Sequence, residues 1–224
     1  VSAKDPNVTL GPTKYDGTTT SVSGAYKTHN SNDGNTYYEY YKGYGNTVDF
    51  STSLNDMAKN FSYIVFEFDF MSEDGYKTTI PGATIAMNVR NSGGGSVSSP
   101  GITVRGSADG SKATIESLNG NRVVSFNPEA FVWHHVTIIY KVDTTITNST
   151  MIVYLDGEYA LPREKCFAES AFRCDSIRVD NTDGAASADV KPGRICVDNL
   201  QYLSMNKKYT GSVANLFVAP EAHN

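Results

Sequence analysis

The chain has 224 residues, a hydrophobic fraction of 39%, only 19% charged residues and a formal charge of −5. Such a length suits one all-β domain without a division, and 14 Tyr and 10 Phe supply the large apolar surfaces that a core needs. A net negative chain with no concentrated Lys/Arg face is a poor match for a nucleic-acid backbone. No window approaches the roughly 18 to 20 continuous apolar residues of a membrane span.

In chain order, residues 1–24 are polar and weakly patterned and read as edge strands or a tail, as do residues 209–224 at the other end. The first dense feature follows: Tyr37, Tyr38, Tyr40, Tyr41 and Tyr44 place five tyrosines in eight residues. On a strand, Tyr38 and Tyr40 share one face while Tyr37 and Tyr41 share the other. Half of the cluster can therefore line a site while the rest packs inward, and filling a β core explains it as well as stacking on sugar rings does. Tyr44, in the adjoining loop, is the one least suited to the core.

Leu54–Asn60 is the only segment that reads as a short helix. From Tyr63 to Phe70 a period of two takes over, with Phe66, Phe68 and Phe70 on one face and Val65, Glu67 and Asp69 on the other. Thr84–Arg90 repeats it, with Ile85, Met87 and Val89 inward and Ala86, Asn88 and Arg90 outward. The two strands are expected to be neighbours with one shared polar face. Glu67, Asp69, Asn88 and Arg90 on that face, beside the tyrosines, are the candidate ligand-binding residues.

A Gly-rich loop at residues 92–99 follows, and strands are then expected at 102–105, 113–118, 122–126, 133–141, 151–155, 175–180 and 194–203. Asp109-Gly110, Asn119-Gly120, Asp156-Gly157 and Asp183-Gly184 supply turns between them. Many short strands at regular spacing indicate an antiparallel two-sheet β-sandwich or jelly roll. The expected domain is 1–224, with its core over about 24–205. Cys166, Cys174 and Cys196 leave at least one thiol unpaired; a 166–174 bridge and buried thiols are both compatible with the spacing.

Trp133-His134-His135-Val136, then Tyr154-Leu155-Asp156-Gly157, resembles the laminin-G-like and concanavalin-like sandwiches. Ile195-Cys196-Val197-Asp198-Asn199-Leu200 is similar to the last strand of bacterial carbohydrate-binding modules. The resemblance implies a lectin-like jelly roll, with Trp133 at a strand start beside the core. It also implies one structural Ca²⁺ with Asp198 among its oxygen ligands. His134 and His135 alternate faces and lack metal-ligand spacing.

Sandwiches of this kind include enzymes as well as binding modules. Glu67-Phe68-Asp69-Phe70-Met71-Ser72-Glu73 resembles the acid-bearing strand of laminarinase-type glycoside hydrolases, but its third acid stands one residue late. Tyr40-Tyr41-Lys42-Gly43 resembles a strand of alginate lyases without that family's Arg and His partners. With no intact catalytic set, the expectation is a non-catalytic carbohydrate-binding module for a neutral polysaccharide: starch, β-glucan or hemicellulose. It would be a monomeric, secreted or cell-surface part of a larger bacterial protein. A lyase or hydrolase of the same fold, and a cell-surface adhesin domain, are the alternatives.

Overall fold

The computed structural model describes residues 6–10, 26–30, 36–40, 45–72, 75–77, 81–97, 100–118, 122–181 and 195–213. For 8–10, 26–30, 36–40, 45–51, 81–83, 176–181 and 195–201 it describes the backbone alone. The elements are β1 (Val8–Leu10), β2 (Tyr26–Asn30), β3 (Thr36–Tyr40), β4 (Gly45–Ser53), α1 (Leu54–Asn60), β5 (Phe61–Ser72), β6 (Pro81–Arg90) and β7 (Gly101–Arg105). They continue with β8 (Ala113–Ser117), β9 (Val123–Phe126), β10 (His134–Lys141), β11 (Thr150–Leu155), β12 (Glu158–Lys165), β13 (Arg173–Asn181) and β14 (Ile195–Asn206).

Two antiparallel sheets result. One runs β12-β11-β10-β5-β14-β3-β2, with β1 also on β14; the other runs β4-β13-β6-β7-β8-β9. The fold is therefore the antiparallel two-sheet sandwich. The alternation in β5 decides which residues meet between the sheets: Phe66, Phe68 and Phe70 are wholly buried with Val136, Ile138 and Tyr140 of β10. Facing them are Ile85, Met87, Val89, Ile102, Val104 and Ile115 of the six-stranded sheet. Each such side chain contributes about 1.5–3 kcal/mol when fully buried. Rings of Phe66 and Tyr140 meet edge to face at 5.2 Å.

Helix α1 forms as expected. Ser53 caps it by accepting from the Asp56 N–H at 3.0 Å, and Leu54, Met57 and Ala58 supply its buried face. Between β11 and β12, Asp156 and Gly157 take φ of 52° and 80°, the two positive values a two-residue hairpin turn needs. Cys166 and Cys174 are buried thiols, and burial pushes the Cys166 thiol above its ordinary range. Cys196 stands in β14.

One expectation is corrected. β5 and β6 are not neighbours: β5 lies between β10 and β14 in one sheet, and β6 between β13 and β7 in the other. Glu67 and Asp69 therefore lie on the opposite side of the sandwich from Asn88 and Arg90. Alternation tells a strand which residues face inward but not which sheet it joins, because a crossover and a hairpin leave the same period of two. The sequence reading also passed over β2, β4 and β12.

Candidate functional site

The outer face of the eight-stranded sheet is built by the second phase of the same strands that make the core. β10 pairs with β5 so that His135 is opposite Asp69 and Thr137 opposite Glu67. His135 Nδ1 donates to Asp69 Oδ1 at 2.6 Å, and its Nε2 lies 3.6 Å from Glu67 Oε1. Thr137 Oγ1 donates to Glu67 Oε1 at 3.3 Å.

Glu67 and Asp69 are only 1% and 2% exposed. Burial disfavours a charged imidazole, but hydrogen bonds and charge from Asp69 and Glu67 outweigh it, so the His135 pKa is raised to about 9. His135 is an imidazolium at neutral pH. It compensates two carboxylates that would be costly to bury alone.

His134 points the other way. Its ring stacks on Phe70 at 5.4 Å and meets Phe126 edge to face at 4.9 Å. The Asp156 carboxylate ties both histidines down: Oδ2 accepts from His134 Nδ1 and Oδ1 from the His135 N–H, each at 2.8 Å. Burial works against the Asp156 charge, but the bonds from His134 and the His135 backbone prevail and lower its pKa.

Beyond Thr137 the same face reaches the sheet edge through tyrosines. Tyr154 stands opposite Thr137 and Tyr159 opposite Tyr154. Their rings meet edge to face at 6.0 Å, and Tyr159 is 56% exposed. Along β11, Thr150 lies opposite both Lys141 and Lys165, and Arg163 donates to its hydroxyl at 2.8 Å.

The tyrosine strand belongs to this sheet, one strand from β5. Tyr38 pairs with Val197, which pairs with Phe70, while Glu39 pairs with Cys196, which pairs with Met71. Tyr38 and Tyr40 thus occupy register positions of the core phase, and Tyr37 one of the outer phase. Tyr41 and Tyr44 lie outside the described residues. Asp198 stands opposite Asp69, but its side chain is not among those described, and among the described residues no group of three or more His, Cys, Asp or Glu is arranged to hold a metal ion.

Across the sandwich, Arg90 Nε lies 3.3 Å from Asp175, which also accepts from Arg173 Nε at 2.8 Å. Asn88 is half-buried on the same strand. The arrangement unites Glu67 and Asp69 but separates them from Asn88 and Arg90. Sequence reasoning missed His135, Thr137, Tyr154 and Tyr159. The signal for the first two was present: His135 and Thr137 fall in the outward phase of a strand whose other phase, Val136, Ile138 and Tyr140, is apolar.

No family model matches the chain, and no curated protein is similar to it in sequence. Among solved structures it is similar to an alginate lyase, at 9% identity and TM-score 0.53 over 88% of this chain and 96% of that one. It is also similar to a carbohydrate esterase from a Shiga toxin-encoding bacteriophage, at 10% identity and TM-score 0.52 over 83% and 89%. A third is botulinum neurotoxin type C, at 12% identity and TM-score 0.50 over 82% and 42%. At such identities the likeness is one of fold. Together with the two-sheet topology it defines the chain as a concanavalin-like β-sandwich. No helix among the described residues is long and apolar enough to cross a membrane.

Proposed function

We propose that this chain is a non-catalytic carbohydrate-binding module that holds a polysaccharide on the outer face of its eight-stranded sheet. The observation that carries the reading is the Tyr154–Tyr159 pair, an aromatic ledge at the sheet edge in which Tyr159 is exposed and Tyr154 half-buried, in cross-strand register with the buried Thr137 and Glu67. Sugar rings stack their C–H faces on such rings, and phenol hydroxyls join the ligand's hydrogen bonds.

Binding is favoured over cleavage by the state of the neighbouring acids. Glu67 and Asp69 are buried and engaged by His135, so neither is presented to a glycosidic bond. His135 is held protonated and has no lone pair with which to take a proton. The carbohydrate-active structures of the same fold agree with a sugar ligand. A secreted or cell-surface setting within a larger protein, and one structural calcium with Asp198 among its ligands, belong to the same proposal. The calcium is checked by a fall in Tm on chelation that added Ca²⁺ reverses.

The test is biolayer interferometry of the protein against biotinylated starch, β-glucan, xylan, mannan and acidic polysaccharides. Binding to at least one, weakened tenfold or more in Tyr159→Ala with unchanged circular dichroism, is the expected result. Binding to none overturns the proposal.

A further inference from the structure

On the same face, about four residues along β11 from Tyr154, stands a row of cations. Lys141 and Lys165 flank Thr150 from the two neighbouring strands, and directly opposed residues of antiparallel strands share a face. They lie two strand spacings apart, roughly 10 Å. Arg163 joins them through its 2.8 Å bond to Thr150. All three are exposed, and β12 is an edge strand, so the row opens to one side.

Their partners are neutral: Thr150 for Arg163, and the Asn148 side-chain carbonyl at 3.5 Å for Lys165. Among the described residues, three arginines of the six-stranded sheet are used differently, Arg90 and Arg173 pairing with Asp175 and Arg105 with Glu116. Glu164, between Arg163 and Lys165 in sequence, stands opposite the core residue Met151 and is in no ion pair with them among the described residues. Asp143, the nearest acid in sequence to Lys141, spends one oxygen on the Thr145 N–H at 2.8 Å. Lys207 and Lys208, exposed just past the end of β14, add positive charge at this end of the sheet. Among the described residues Lys141, Arg163 and Lys165 are in no ion pair, so a chain of net charge −5 keeps three exposed cations together at one end of one face.

We infer that this row takes the anionic groups of an acidic polysaccharide, carboxylate or sulfate, whose chain runs about 13 Å along β11 to the Tyr154–Tyr159 ledge. The inference rests on the polysaccharide-binding reading above and replaces the neutral polymer expected from the sequence. Guanidinium and ammonium groups supply charge-assisted hydrogen bonds to such anions. The aromatic ledge serves the sugar ring. Their separation of four residues along β11 matches an extended polymer better than a single small anion.

The experiment is biolayer interferometry with biotinylated polygalacturonate, dextran sulfate and β-glucan, and with single-stranded DNA. The wild type is compared with the exposed triple variant Lys141→Gln, Arg163→Gln, Lys165→Gln, whose fold is checked by circular dichroism. Expected is binding to polygalacturonate or dextran sulfate that weakens steadily with salt and falls tenfold or more in the triple variant; whichever polymer binds names the anion. Acidic-polymer binding unchanged in the variant, or binding to β-glucan alone, overturns this inference and leaves the proposed function standing. Binding to none of the polysaccharides overturns both. Tighter binding to DNA than to either acidic polymer overturns the choice of a glycan.

Discussion

Replacing His135 by Gln removes the only cation in contact with Glu67 and Asp69 among the described residues, while keeping a side chain of similar reach. A rise of the His135 pKa from 6.5 to about 9 corresponds to about 3 kcal/mol of stability linked to its proton. The folded value lies above the unfolded one, so this stability is fully present below pH 6.5 and is lost as pH rises through about 9. Urea unfolding of both proteins at intervals from pH 6 to pH 10 measures it. Other groups titrate in both proteins, so the difference between them isolates His135. The wild type should exceed His135→Gln by about 3 kcal/mol at pH 6, an advantage that shrinks steadily towards pH 10. A difference that stays constant over this range, or one that grows with pH, would refute the assignment of a buried imidazolium.

Asp156→Ala loses the bonds to His134 and to the His135 N–H and leaves Ala in a left-handed conformation, a cost of about 2–4 kcal/mol by urea unfolding. Since the Asp156 pKa is lowered, its share of the stability is present above the ordinary carboxylate range and disappears as pH falls below it. Gly157→Ala, with φ of 80° and open space where a Cβ would sit, costs about 1–2 kcal/mol from backbone conformation alone. Phe68→Ala empties the centre of the core and lowers stability by about 3–5 kcal/mol. Cys166 should react with a thiol reagent only after unfolding, because it is buried and its thiolate is disfavoured.

Strands β5, β6 and β10 were legible because one phase of each is largely apolar, and β14 because it is apolar in both phases, Tyr202 facing the core and Leu203 and Met205 a smaller apolar cluster on the outer face. Strand β12 was not. Pro162, four charged residues and two register shifts against β11 break its alternation, and such features are tolerated at a sheet edge where no further strand must pair. Strand β4, Gly45–Ser53, is rich in Asn, Thr and Ser and is likewise an edge strand. The site was half legible for a related reason. Glu67 and Asp69 were found because they share a strand, whereas His135 is 66 positions from Asp69 and meets it only through cross-strand register. Register between distant strands is set by packing of the whole core.

That register also changes how the most recognisable motif should be understood. His134 and His135, read with Asp156-Gly157, have the look of a chemical pair, yet the geometry divides them between the two faces of one sheet. His134 closes the core against Phe70 and Phe126, and His135 neutralises the acids outside. Asp156 joins them: its turn needs two positive φ values, and its carboxylate reaches both the His134 ring and the His135 backbone. A substitution there should disturb the entry of β10, and with it the pairing of His135 with Asp69, without touching the sugar ledge at Tyr154 and Tyr159 directly. Stability and binding should therefore separate: Asp156→Asn, which keeps the turn and the reach but not the charge, should lower the urea midpoint while polysaccharide affinity stays within about twofold. An affinity loss as large as that of Tyr159→Ala would place the motif in the binding surface itself.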